Sequence, residues 1–171
     1  MRKLSISILS ALFIMLCTQT STAQGIKVGA GLMYGSEIEE IGLQINGVVD
    51  LPVTSLRAAA DVGFFFVEDA EIFGTTIETS VWEANVNAHY VFDFVPKANV
   101  YALAGLNFTT VSVDVGGTSD SETDTGLNLG AGAELPLGPV DFFAEAKLLF
   151  SDAYVDSQLA LTGGVRIGFG K

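Results

Sequence analysis

The chain has one cysteine, Cys17, and one histidine, His89, in 171 residues. If Cys17 leaves with a leader, the mature chain has no disulfide and no thiol chemistry. A lone histidine supplies no histidine-rich metal site, and no Ser/His/acid arrangement suited to nucleophilic catalysis stands out around it. Positive charge is scarce too: Lys and Arg number 8 against 20 Asp and Glu, for a formal charge of −12. That excludes nucleic acid as a partner, because nothing here could neutralise its phosphates. Long apolar runs are missing as well. The run from Leu4 to Leu16 falls short of the roughly 20 residues a helix needs to cross a bilayer, and no helical apolar segment follows it. Yet 49% of the residues are hydrophobic. High apolar content without a membrane helix leaves a large soluble β-core, or a barrel whose outside faces lipid.

The first residues are those of an export leader. Arg2 and Lys3 form a positive start, Leu4 to Leu16 an apolar stretch, and Ser21-Thr22-Ala23 a small-residue cleavage site before Gln24. Residues 1–23 are therefore expected to be a cleaved signal peptide and 24–171 a single domain. A lipoprotein reading of Cys17 is disfavoured by Leu16, which stands where a small residue is wanted.

Eight segments follow in which apolar residues alternate with polar or small ones. They run from about Ile26 to Tyr34, Glu40 to Leu51, Leu56 to Phe66, Ser80 to Asp93, Asn99 to Val113, Thr125 to Leu135, Phe142 to Phe150 and Gln158 to Phe169. Period-two alternation in every segment is a specific strand signal. Pro52 to Ser55, Val95 to Ala98 and Pro136 to Pro139 are expected to be tight turns. Val67 to Thr79, Asp114 to Thr123 and Ser151 to Asp156 are expected to be longer acidic loops, the second of them mobile. The prediction is an all-β chain, an eight-stranded antiparallel up-and-down transmembrane β-barrel.

Alternation alone leaves open which face points inward, and three features choose apolar side out. The polar face is rich in Gly, Ala and Asn and carries few charges, so it suits a narrow bore better than a water-facing surface. Aromatics on the apolar face gather at its two ends: Tyr34, Phe64, Phe66, Trp82 and Phe150 at one, Tyr90, Phe92, Phe142 and Phe169 at the other. That is the pattern of two membrane-interface girdles. The connections alternate short and long, as expected with one rim in the periplasm and the other outside; an even strand number then puts both termini in the periplasm.

Inward charges become a constellation on this reading. Lys27, Asp50 and Arg57 fall at similar depth on the first three segments, and Glu134, Asp141 and Arg166 on the last three. Buried ions need partners, so these six are expected to form a salt-bridged plug, with Glu83, Glu145 and Lys147 as a second tier. Asp61 and His89 complete the inward set, His89 near Asn87 and within reach of Asp61 or Glu83. Two roles stand open for the plug, a satisfied polar core and a gate or proton-linked path, the first having the greater weight. Asp120 to Gly126 looks faintly like a calcium loop, but the glycine comes one position late and Ala131 stands where a bidentate Glu is needed. A solvated surface loop is the better reading; no metal or cofactor is expected.

The Gly-rich opening Gly29-Ala30-Gly31-Leu32, the middle segment Tyr101 to Asn107, the segment Leu127 to Glu134 and the closing strand Gly163 to Phe169 carry a resemblance. Over about Ile26 to Phe169 the chain resembles the small outer-membrane β-barrel families of Gram-negative bacteria, the OmpA-like, OmpX-like and OmpW-like porin-family domains. Such barrels usually end on an aromatic that the assembly machinery recognises; here Gly170 and Lys171 follow Phe169. The resemblance implies outer-membrane lipid, lipopolysaccharide and the barrel-assembly machinery as partners, in a barrel that can stand as a monomer. The expected function is a non-enzymatic envelope or surface-interaction barrel, with a narrow pore for very small solutes as its variant. A soluble periplasmic barrel holding an apolar ligand is the alternative, and a lipid-modifying enzyme the third.

Overall fold

The computed structural model describes residues 25–52, 55–72, 75–92, 94–151 and 157–169; the expected leader lies outside them. Nine strands form among these residues: β1 (Ile26–Gly35), β2 (Glu40–Asp50), β3 (Leu56–Phe65), β4 (Ala70–Ile72), β5 (Thr75–Phe92), β6 (Asn99–Val115), β7 (Thr118–Leu137), β8 (Val140–Phe150) and β9 (Gln158–Phe169). All pairings are antiparallel, and each strand except β4 has two barrel neighbours. The β3–β5 and β1–β9 pairs close the ring, so eight strands make a barrel with no open edge in its wall. Lipid offers backbone groups no hydrogen bonds, which makes closure the condition for crossing a membrane with strands.

The alternation resolves into two faces. On β1, Ile26, Val28, Leu32 and Tyr34 are exposed while Met33 is 3% exposed; on β5, Trp82, Val86 and Tyr90 are exposed between buried Glu83, Asn85, Asn87 and His89. Apolar side chains cover the outside, and polar ones together with two apolar clusters, Met33, Phe65 and Val81 and Val91, Tyr101 and Leu103, fill the bore. A soluble barrel around an apolar ligand has the opposite arrangement. Along β5, Trp82 and Phe92 are about ten residues apart. At ~3.3 Å per residue and a tilt of ~40°, the aromatic ends stand about 25 Å apart, the height of a lipid-facing band.

Two expected loops are largely strand. Asp114 to Thr123 is not a loop: β6 and β7 stay paired out to Val115 and Thr118, and only Gly116 and Gly117, with φ of 58° and 87°, turn the chain. The Ser/Thr/Asp composition reads as loop, yet Thr and Val at positions 109–115 are strand formers and alternate through it. Likewise, Val67 to Thr79 contains β4, which pairs Ala70, Glu71 and Ile72 with Ile77, Thr76 and Thr75. The segment Ser151 to Asp156 lies mostly outside the described residues. At the opposite end the connections are short: Leu137 still pairs with Val140 around Gly138, whose φ is 75°.

Candidate functional site

The bore is built from alternate residues of all eight barrel strands, and three levels follow one another along it. Nearest the chain ends lies an ionic cluster. Arg166 of β9 is 1% exposed. Its guanidinium donates to Glu145 Oε1 at 2.5 Å, to Glu134 Oε2 at 3.2 Å, to Asn46 Oδ1 at 2.8 Å and to the Tyr101 hydroxyl at 3.3 Å. Its carbon lies 3.9 Å from the centre of the Phe143 ring, a cation–π contact. Tyr101 donates in turn to Glu145 at 2.6 Å. Glu134 is fully buried and also takes Lys27 and, at 3.6 Å, Arg57. Lys27 reaches Asp141 at 2.7 Å, and Arg57 reaches Asp50 at 2.7 Å. Three cations and four carboxylates thus share one end of the bore, which spreads the desolvation cost over many pairings. A recess of about 610 Å³ opens at that end beside Lys27, Asp50 and Asp141.

Above it sits an amide level with Asp61 at its centre. Lys147 donates to both Asp61 oxygens at 3.1 and 3.2 Å, Asn85 to Oδ1 at 2.7 Å and Asn87 to Oδ2 at 3.4 Å. Asn107 and Asn128 each donate to Asn85 Oδ1 at 2.9 Å, and Thr109 to Asn107 at 2.8 Å. The expected second tier of Glu83, Glu145 and Lys147 is therefore corrected. Lys147 belongs to Asp61, Glu145 belongs to Arg166, and Glu83 accepts from Gln158 Nε2 at 3.0 Å. His89 has Glu145 and Asp61 near enough to act on it through space but makes no hydrogen bond to an acid: its ring stacks on Tyr101 at 4.5 Å and 7°, and neither ring nitrogen has a hydrogen-bond partner in the protein.

The third level, towards the long connections, sets an apolar cluster beside the Glu83–Gln158 pair. Met33, Phe65 and Val81 are buried together, with Ile38, Val67 and Val111 packed on them. Alternation alone did not single out these residues, nor Tyr101, Leu103, Asn107 and Phe143. For those on strands parity was the available signal, since each occupies an inward position on a strand whose outward set is unambiguous; Ile38 and Val67 lie in connections and carry no such signal.

The aromatics assigned to the girdles lie on the outer face. Phe64 and Phe66 meet edge to face at 6.0 Å, and Tyr90, Phe92 and Phe94 form a ladder at 5.2 and 5.6 Å. Phe94 was not singled out from sequence and is 72% exposed. Among the described residues no group of three or more His, Cys, Asp or Glu side chains comes together as a metal site. Asp120, Glu122 and Asp124 lie on one face of β7, an extended strand along which successive side chains diverge, so they do not wrap a cation as a loop would.

Comparison with known proteins agrees with this architecture. The profile of the outer membrane protein beta-barrel domain matches residues 8–147. Neisserial surface protein A superposes with a TM-score of 0.68 at 20% identity, covering 88% of this chain and all of that one. Ail, the attachment invasion locus protein of Yersinia pestis, gives 0.60 at 16% identity, over 87% of this chain and all of that one. The N-terminal β-barrel domain of Pseudomonas aeruginosa OprF gives 0.61 at 16%, over 86% and 100%. A search among curated proteins found no match.

Proposed function

The chain belongs to the outer membrane protein beta-barrel domain family, and on that premise we propose that it is a non-catalytic barrel that presents a surface-interaction hairpin outside a Gram-negative cell. On this reading residues 1–23 are an export leader, the assembly machinery folds the barrel, and both termini face the periplasm. Outer-membrane lipid and lipopolysaccharide surround the apolar band, and the two aromatic sets sit at its interfaces.

One observation carries the reading. Strands β5, β6 and β7 continue past Trp82 as a hydrogen-bonded sheet, from Ile77 paired with Val115 to Val115 paired with Thr118. The β7 part of this extension is exposed and covered by Ser, Thr and acidic side chains, and among the described residues its pairing with β8 begins at Leu127. A barrel that served only as a membrane-filling wall would end at its aromatic rim. Catalysis finds no support in the bore, where the single histidine is stacked and shielded from the lipid side.

The charge of that end restricts the partner. Glu37, Glu39, Glu68, Asp69, Glu78, Asp114, Asp120 and Glu122 lie there, and the described Lys and Arg are all in the bore or, for Lys97, on the opposite turn. One structure of Ail is in complex with the heparin analogue sucrose octasulfate. The anionic end of the present chain repels such a polyanion, so no binding of sucrose octasulfate is expected in calorimetry at moderate ionic strength.

The testing experiment compares gene deletion with removal of residues 112–121, scoring detergent sensitivity of the cells and adhesion to cationic and neutral surfaces. A presenting role predicts lost adhesion with an intact permeability barrier in the shortened form. Detergent sensitivity on gene deletion, with adhesion unchanged in the shortened form, would instead assign an envelope-structural role.

A further inference from the structure

Resting on the surface-presenting reading of the hairpin, we infer that the inner face of the β5–β6–β7 extension docks a cationic amphipathic helix of a partner outside the cell.

The extension reverses the polarity of the barrel wall. Pairing of β6 with β5 and β7 continues without a break from Val100 to Val115, so even-numbered residues of β6 keep to the outer face and odd-numbered ones to the inner. Within the membrane band the outer set is apolar, with Ala102, Ala104 and Leu106, while Asn107 lies buried in the bore. Above Trp82 the outer set becomes Ser112 and Asp114, and the inner set becomes Val111, Val113 and Val115. Val111 packs on the Met33–Phe65–Val81 cluster, which fixes this side as the inner one. Both faces of the hairpin tip meet water: Val115 is 46% exposed, and Ser119, opposite Asp114, is exposed too. Strand propensity does not account for the apolar face, since Thr satisfies it with a hydroxyl and stands on the outer face at Thr76, Thr110 and Thr123.

Register lays the inner face out in cross-strand rows. Ile77, Val115 and Thr118 form one row and Thr79, Val113 and Asp120 the next, with Glu122 following Asp120 on the same side of β7. The floor is therefore apolar at Ile77, Val113 and Val115, and its β7 border is acidic. With strands ~4.8 Å apart, β5 to β7 spans about 10 Å, the width of an α-helix. A helix covers a sheet face by laying its apolar stripe on it. Charge then selects which helix. Asp120 and Glu122 line the border, Glu68 and Asp69 lie at the same end, and among the described residues no Lys or Arg does. A helix with Lys or Arg beside its stripe is attracted, whereas an acidic helix or an anionic lipid headgroup is repelled. A second copy of this chain brings the same anionic end and is disfavoured by the same charge. The floor is small, so the contact is a transient one.

The test exploits the absence of cysteine after Cys17. The mature barrel is folded in nanodiscs of zwitterionic lipid with a single thiol, from V115C on the inner face or S119C on the outer one; cysteine keeps the inner position small and apolar. The probe is a Leu/Lys peptide of about 15 residues, roughly four turns, with leucines at helical spacing. Its controls are the same composition with Leu and Lys strictly alternating, and a Leu/Glu version of the helix. Reaction of each thiol with an uncharged maleimide is timed against peptide concentration. The helical Leu/Lys peptide is expected to suppress reaction at V115C and leave S119C unchanged, and the controls to suppress neither. Asp120→Asn with Glu122→Gln should raise the half-protecting concentration about fivefold, as for two exposed ion pairs. Val113→Asn or Ile77→Asn should raise it about tenfold through the lost apolar contact. Two apolar variants guard against one that fails to fold, and the heat-dependent gel shift identifies folded barrels. No protection at V115C, equal protection at S119C or by either control, or a midpoint that these variants leave in place would each overturn the proposal. Protection at V115C with adhesion unchanged on removing residues 112–121 would keep the docking face and retire the adhesive role. Lost adhesion with V115C unprotected would keep the adhesive role and overturn the docking face.

Discussion

Arg166 and Asp50 are both ion-paired, yet they differ in what their loss exposes. Arg166 is buried between two carboxylates, so Arg166→Ala leaves Glu134 and Glu145 with less compensation in the bore. Breaking a buried pair of this kind costs about 3–5 kcal/mol. Asp50, with a side chain 42% exposed, has water as a substitute partner, and Asp50→Asn should cost less than about 1 kcal/mol. Urea unfolding in lipid vesicles measures both; equal losses would contradict the two environments. Gly132 offers a packing counterpart. A β-carbon there would stand 2.5 Å from Tyr101 Cζ, so the ring that carries the Glu145 and Arg166 hydrogen bonds lies directly on this glycine. Gly132→Ala is expected to destabilise by about 1–3 kcal/mol through overpacking, and Gly138→Ala, where open space surrounds a positive-φ turn, by about 1 kcal/mol through backbone strain alone. The parity of Gly132 was legible in sequence; that Tyr101 sits across from it was not, because the contact depends on the β6–β7 register.

At the scale of elements, the β6–β7 hairpin is where composition misled. Acidic, Ser-rich and Gly-rich stretches read as mobile loops, but ladder hydrogen bonds continue as long as a partner strand runs alongside, whatever the side chains. Gly116 and Gly117 alone need left-handed backbone, so Gly117→Val strains the turn without touching the barrel. That variant, and removal of residues 112–121, should both retain the heat-dependent gel shift of a folded barrel. External protease on intact cells should cut the native hairpin only near its tip. Loss of the gel shift on shortening would mean that the hairpin is part of the folding core. The β4 pairing is the same lesson in small: three residues joined β5 inside a predicted loop.

For the whole molecule, the decisive property is that no charged side chain appears on the outward face between the aromatic ends. Ala104 occupies the middle of that face on β6, between Ala88 and Leu129 on the neighbouring strands. Ala104→Arg should cost about 2–4 kcal/mol in a bilayer, falling towards zero for a similar change near either rim such as Val140→Arg. Equilibrium unfolding in vesicles measures the depth dependence, and a flat profile would place the lipid band elsewhere. The wild-type protein should fractionate with the membrane and change mobility on boiling.

Alternation along single segments was enough to determine the eight barrel strands and which side chains share a face, because a period of two is a local property of extended chain; the make-up of the two faces, the aromatic ends and the short and long connections then chose the outside-apolar barrel. Together these were also enough to place Lys27, Arg57, Asp61, Glu134, Lys147 and Arg166 inside. Which ion meets which was decided only in three dimensions. Lys147 and Asp61 are 86 residues apart and lie on strands that are not neighbours, and they meet because closure and shear bring them to one depth across the bore. The buried apolar cluster has the same origin: Met33, Phe65 and Val81 are ordinary hydrophobic residues on three strands until the barrel closes and turns them towards one axis.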